Sequence, residues 1–183
     1  MSRHYIDDRF WMDEKVQNWD TDTRHLALYL MTNQHVNTEG LYQLKKLYMM
    51  ADLDWERERF DKAFGKLLDE GFIKYDESVS VVFLPNALKY NGPENPNQAK
   101  GAIKQVIKLP KTYLIEDFLE QARKYGEKII EELEKPNSEY NYNCLPNPSG
   151  NGSGKPFETS DSYSNSNSNS NSNSKDNGGH SAS

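Results

Sequence analysis

The sequence predicts a mainly α-helical fold with one small β-hairpin, followed by a long C-terminal tail that does not fold. Three observations predict this arrangement. Helix-length apolar segments occur between residues 20 and 70, and a pair of short β-prone runs follows them. Residues 136–183 contain few apolar side chains and end in alternating Ser and Asn. Because such a segment cannot bury enough apolar surface to fold, we expect it to be disordered.

The first two helices are predicted from capping and turn residues. Asp20 offers a capping side chain just before the apolar stretch 26–31, which predicts a helix at the centre of the domain. The Asn and Gly residues of 33–40 are turn formers and end that helix. The next segment, 41–51, is predicted to form the second helix.

The third helix is predicted over 54–70, with Asp54 as its N-cap and Gly71 as its stop. At 100° per residue, its apolar residues share one core-facing stripe. This stripe comprises Phe60, Ala63, Phe64, Leu67 and Leu68. A separate "basic stripe" lies roughly a third of a turn away. It comprises Trp55, Arg59, Lys62 and Lys66.

Two short strands are predicted within 72–84, around a turn near 76–79. Three helices followed by a hairpin is the element order of a winged helix-turn-helix domain, in which the third helix enters the DNA major groove. The basic stripe would then face the groove, and Lys74 on the hairpin would meet the flanking backbone. For Trp55 the alternative is packing on the hairpin or the second helix.

Four lysines follow the hairpin in a region without acidic residues. Lys100, Lys104 and Lys108 recur every four residues and share a helix face, and Lys111 comes directly after. They are expected to bind DNA phosphates in a salt-dependent way, unless they simply form a solvated helix face. The next helix, 114–133, has an apolar seam that either packs inward or forms a dimer.

Charge divides the chain into three predicted regions. The predicted winged-helix domain, 1–94, carries 12 Lys and Arg against 17 Asp and Glu, a net charge of −5. The basic and amphipathic helices of 95–135 carry 8 against 7, or +1, and the tail, 136–183, carries 2 against 4, or −2. A local basic face, rather than this net acidity, decides whether nucleic acid binds.

Several functional classes are not supported by the sequence. No run approaches the roughly 18 apolar residues that a membrane span needs, and the N-terminus has no apolar signal region. Cys144 is the only cysteine, and the four histidines are scattered, so we expect no metal site. The Gly- and Lys-containing segment 150–155 lacks the spacing of a phosphate-binding loop. We therefore predict a cytoplasmic protein that is not an enzyme and needs no cofactor.

Six segments, in this order along the chain, resemble the N-terminal domain of phage replisome organisers, a family related to the DnaD primosomal proteins. They are RHYIDDRFW (3–11), TRHLALYLMTN (23–33), NTEGLY (37–42), FLPNALKYN (83–91), NPN (95–97) and LPKTYLIEDF (109–118). The resemblance covers roughly residues 3 to 120. It implies a winged helix-turn-helix that binds double-stranded DNA at a phage or prophage replication origin in a bacterial host. It also implies a homo-oligomer that helps recruit a helicase loader or replicative helicase.

The sequence departs from this family in one respect. Residues 136–183 show no second helical domain of the DnaD type, which puts the helicase-recruiting part of the role in doubt. Two alternative functions stay open. One is a transcriptional regulator of the same fold that binds an operator. The other is a protein-docking module that does not bind DNA, which the net acidity favours.

Overall fold

The computed structural model describes residues 6–147. Its strands are β1 (Leu41–Gln43), β2 (Lys74–Asp76) and β3 (Val81–Phe83). Its α-helices are α1 (Arg9–Met12), α2 (Glu14–Gln17), α3 (Thr21–Thr32), α4 (Lys46–Leu53), α5 (Arg57–Asp69), α6 (Ala87–Asn91), α7 (Pro96–Ile107), α8 (Leu114–Tyr125) and α9 (Glu127–Glu134). A short 3₁₀ helix spans Tyr142–Cys144. The predicted combination of a mainly helical chain with a small antiparallel sheet is confirmed.

The sheet has the strand order β1-β3-β2, with both pairs antiparallel. Strands β2 and β3 form the predicted hairpin, with Lys74 opposite Phe83. Leu41 of β1 pairs with Phe83 from the other side. The structure therefore adds a third strand to the hairpin that the sequence predicts.

The prediction of a helix over 41–51 is wrong in its first half, because β1 occupies that position and α4 begins only at Lys46. The pairing of β1 with β3 explains the difference, since tertiary contacts override local propensity in so short a segment. Tyr42 is buried, and its hydroxyl donates a hydrogen bond to the carbonyl oxygen of Leu30 at 2.6 Å. Leu47 and Tyr48 of α4 are exposed.

The third helix also begins later than predicted. Asp54 does not cap it; it ends α4 in the left-handed conformation, with φ 53°, and α5 starts at Arg57. Trp55 therefore lies in the link between the two helices. The predicted core stripe of α5 is confirmed except for Leu68, which is 37% exposed.

Each face of the sheet covers a separate apolar core. On one face, Tyr42 and Val82 pack with the apolar sides of α3 and α5. On the other, Leu41, Val81 and Phe83 pack with those of α7, α8 and α9. Because side chains alternate across a strand, successive residues of β1 and β3 enter different cores. The sheet is therefore a wall shared by the two halves of the chain.

The predicted helix over 114–133 is divided into α8 and α9 at Gly126. A Cβ atom there would lie 3.2 Å from the Cα of Ala122, so the close approach favours glycine. The apolar seam of both helices packs inward against α7 and the sheet, and its buried residues are Leu114, Ile115, Phe118, Ala122, Ile129 and Leu133.

Residues 136–147, which the sequence assigns to the disordered tail, are folded. Leu145 is only 3% exposed and belongs to the second core, and the Thr112 amide donates a hydrogen bond to the carbonyl oxygen of Pro146 at 3.0 Å. A few apolar residues at the right positions suffice here, because the core that they join already exists. The rest of the predicted tail, 148–183, lies outside the described residues. Within residues 6–147, no helix has both the length and the apolar character to cross a bilayer.

Candidate nucleic-acid interface

Trp55, the first residue of the predicted basic stripe, is not presented to solvent. It is 7% exposed, and its ring meets the ring of His25 in α3 edge-on at 5.5 Å. Its backbone N–H donates to the carbonyl oxygen of Met50 at 2.9 Å. The expectation that this indole faces a groove is therefore replaced by packing against α3, because α5 starts after Trp55 and leaves its ring in the junction.

Arg59 is held by two contacts at the start of α5. Its Nε donates to Oδ2 of Asp22 at 2.9 Å, and its Nη2 donates to Oδ1 at 2.6 Å. The guanidinium carbon lies 4.4 Å from the centre of the Trp55 ring, a cation–π arrangement. The hydrogen bonds from Arg59 lower the pKa of Asp22. About half of the Arg59 side chain, 48%, stays exposed.

The two lysines of the basic stripe also lie beside carboxylates. Lys62 is 3.9 Å from Asp20, which caps α3 by accepting from the Thr23 amide at 2.7 Å. Lys66 donates to Glu70 at 2.6 Å, and this hydrogen bond lowers the pKa of Glu70. In the structure, then, each cation of the basic stripe has an acidic neighbour, and the local field on this side of α5 is mixed rather than positive.

The hairpin lysine is directed toward the helical half of the chain. Lys74 on β2 donates to the carboxylate of Asp117 in α8 at 2.5 Å. The side chain is 47% exposed, so the ion pair is open to solvent. Such exposed pairs contribute little net free energy, and a competing phosphate can replace the carboxylate.

The lysines of α7 and of the residues that follow it differ from those of α5. Lys100 lies 3.8 Å from the buried carboxylate of Glu132. By contrast, Lys104, Lys108 and Lys111 are exposed, and within residues 6–147 no carboxylate lies within 4.0 Å of their ammonium groups. We call these three residues the α7 lysine face. Because α7 buries Ile103 and Val106 on its opposite side, its core packing fixes the direction of Lys104. Lys108 is the C-cap of α7, and Lys111 lies in the link to α8.

The partners of the basic stripe are not recognisable from the sequence. Asp20 is recognisable from the sequence only as a cap, and Asp22 has no distinguishing pattern at all. Asp22 and Arg59 are 37 positions apart, so no helical spacing brings them together. Only the packing of α3 against α5 does so.

A cavity of about 270 Å³ lies between the N-terminal helices and α6, and the sequence gives no sign of it. Phe10, Trp19 and Phe72 form part of its wall, and Arg9 lies over the Tyr90 ring at its edge. No set of three His, Cys, Asp or Glu side chains in the described part of the chain is grouped to hold a metal ion.

Comparison with known proteins provides no relative of this chain: no protein-family model, curated protein or solved structure matches it.

Proposed function

We propose that this chain is a winged helix-turn-helix protein that binds duplex DNA at a phage or prophage replication origin and helps to recruit helicase machinery there. The α7 lysine face carries the proposal. It provides three exposed cations that no neighbouring carboxylate in the described chain neutralises. Cations of this kind are the ones that a polyanion can engage without first breaking an ion pair.

The order of elements supports a winged helix. Helices α3, α4 and α5 are followed by the β2–β3 hairpin, and β1 comes between the first two helices. In a winged helix-turn-helix, helices corresponding to α4 and α5 form the DNA-reading pair and the hairpin forms the wing. In that arrangement the basic residues on α5 would contact the groove, and Lys74 on β2 would contact the flanking backbone.

The geometry of the α7 lysine face suits phosphate binding. Lys104 and Lys108 are one turn apart on α7, which places their Cα atoms about 6 Å from each other along the helix axis. Consecutive lysines at this spacing can meet separate phosphates of one strand. Lysine neutralises phosphates without reading sequence, so this face supplies affinity, whereas sequence discrimination must come from elsewhere.

The replication role follows from the resemblance of six sequence segments to phage replisome organisers. The same resemblance supports self-association and a helicase loader or helicase as partner. A transcriptional regulator would have the same DNA-binding chemistry, so genomic position decides between the two. Binding sites clustered as repeats at an origin support replication, and binding sites at promoters support regulation.

Fluorescence anisotropy of the full chain tests DNA binding. Short duplexes that tile its own coding region are titrated at two salt concentrations. Binding concentrated on one fragment and weakened by salt is the expected result. A triple variant, Lys104→Ala with Lys108→Ala and Lys111→Ala, should bind all duplexes poorly. The matched control, Lys124→Ala with Lys128→Ala and Lys135→Ala, removes the same charge from α8, α9 and the residue after them and should bind normally.

The ion pairs of α5 favour a second candidate function, a docking module for another protein. A surface on which Arg59 and Lys66 alternate with Asp22 and Glu70 can match a protein of mixed charge better than a polyanion. If no duplex binds at low salt while a helicase loader co-purifies with the chain, this function replaces the first.

A further inference from the structure

The geometry points to a further role within the proposed DNA-binding function: Arg59 reads a guanine in the major groove, and Asp22 is the positioning residue that aims it. The inference rests on the proposed function, since it requires α5 to approach duplex DNA. It adds the base that is recognised and a residue outside α5 on which that recognition depends.

Two neighbours restrain the Arg59 guanidinium. The guanidinium carbon lies over the Trp55 ring, 4.4 Å from its centre, and the Asp22 carboxylate accepts from Nε and Nη2 at 2.9 and 2.6 Å. Trp55 is itself buried and packed edge-on against His25, so it is a rigid support. Together these contacts restrict the rotation of the guanidinium.

The remaining edge of Arg59 has the donors that guanine requires. A guanidinium carries five N–H groups, and Asp22 uses one on Nε and one on Nη2. Both N–H groups of Nη1 and the second one of Nη2 have no acceptor within the described residues. These N–H groups of Nη1 and Nη2 match the O6 and N7 acceptors of guanine, which an arginine contacts in bidentate fashion. The 48% exposure of the side chain leaves the edge accessible.

The other cations of the basic stripe are not oriented by neighbouring side chains in this way. Lys62 is 81% exposed and lies 3.9 Å from its carboxylate, a distance that fixes no direction. Lys66 is a point charge paired with Glu70, the C-cap of its own helix. Lysines of this kind suit phosphates, so Arg59 is the residue of α5 that is equipped to read a base.

The opposite role for Asp22 is masking. A carboxylate that neutralises Arg59 without aiming it would repel DNA phosphates, and its removal would then strengthen binding to every sequence alike. Positioning predicts a different outcome, because loss of Asp22 frees the guanidinium to rotate and reduces discrimination between bases. The two roles therefore differ in a measurable way.

The test uses 7-deazaguanine, which replaces N7 with a carbon and keeps Watson–Crick pairing. The full chain is titrated with its preferred duplex, each guanine in turn carrying this change, and with a scrambled duplex. We expect one guanine at which the change weakens wild-type binding about tenfold, within the range for one bidentate contact. At that guanine, 7-deazaguanine should not weaken the binding of Arg59→Ala or Arg59→Lys; we call this loss of affinity the penalty. Asp22→Asn should show a penalty below about threefold.

Asp61→Asn is the matched control. It removes one negative charge from an exposed position on α5 that has no cation within 4.0 Å in the described chain, so it reports the general electrostatic effect. It should keep the tenfold penalty. Circular dichroism melts check that all variants fold.

Three results would overturn the inference. The first is that Asp22→Asn strengthens binding to the preferred and the scrambled duplex alike, and by more than Asp61→Asn does. If 7-deazaguanine still weakens binding of that variant about tenfold, then Asp22 masks Arg59. If wild-type binding is sequence-specific but insensitive to 7-deazaguanine at every position, Arg59 does not read guanine, although the proposed function stands. If the chain binds no duplex at low salt, the proposed function fails and this inference fails with it.

Discussion

Replacing Lys104 with alanine should change the salt dependence of DNA binding by a predictable amount. Each phosphate that a lysine neutralises adds about 0.9 to the slope of log affinity against log salt. If the three residues of the α7 lysine face each meet one phosphate, they contribute a slope of about −2.7, and Lys104→Ala reduces it to about −1.8. Between 50 and 200 mM salt, their contribution to the loss of affinity then falls from about 40-fold to about 12-fold.

Anisotropy titrations over a series of salt concentrations measure this slope directly. Because Lys104 is expected to touch phosphate rather than bases, the change should be the same on the preferred duplex and on a scrambled one. Lys124→Ala, which removes a lysine paired with Glu120 on α8, is the control and should leave the slope unchanged. An unaltered slope in Lys104→Ala, or an effect confined to the preferred duplex, would refute the phosphate role of this face.

Three further predictions concern the folded state. Phe118→Ala empties a fully buried position in the second core and should lower the unfolding free energy by about 3–5 kcal/mol, measured by urea denaturation. A chain ending at residue 94 leaves one face of the sheet uncovered and should lack the near-ultraviolet circular dichroism of fixed aromatic packing; a native-like spectrum would contradict the shared wall. Asp20 and Asp22 have lowered pKa values in the folded chain, held by the Thr23 amide and by Arg59, so their stabilising effect is present above about pH 4 and is lost as the pH falls further. Melts between pH 5 and 2.5 should show a smaller loss of stability in Asp22→Asn than in the wild type.

The helices were predictable wherever their own residues determine them. The core stripe of α5 follows from its 3.6-residue period, and the cap of α3 follows from Asp20. Strand β1 could not be predicted in the same way. It has three residues, and its partner β3 lies about 40 positions away, so only the folded chain identifies Leu41–Gln43 as a strand.

The candidate site likewise has a part that the sequence predicts and a part that depends on tertiary packing. Lysine spacing on α7 places Lys104 and Lys108 on one exposed face, as the sequence predicts. The surroundings of α5 could not be predicted, because Asp22 reaches Arg59 only through the packing of α3 on α5. Periodicity along one helix describes its own faces and contains no information about which other element covers them.

The shared wall also affects synthesis on the ribosome. When β3 has emerged, Val81 and Phe83 can pair with β1, but the side chains that cover them come from α7 to α9, which end at Glu134. About 50 more residues must be made first, which takes on the order of 2–10 s at typical elongation rates. During that interval an apolar sheet face is open to other nascent chains and to chaperones. Completion of the last helices ends that exposure.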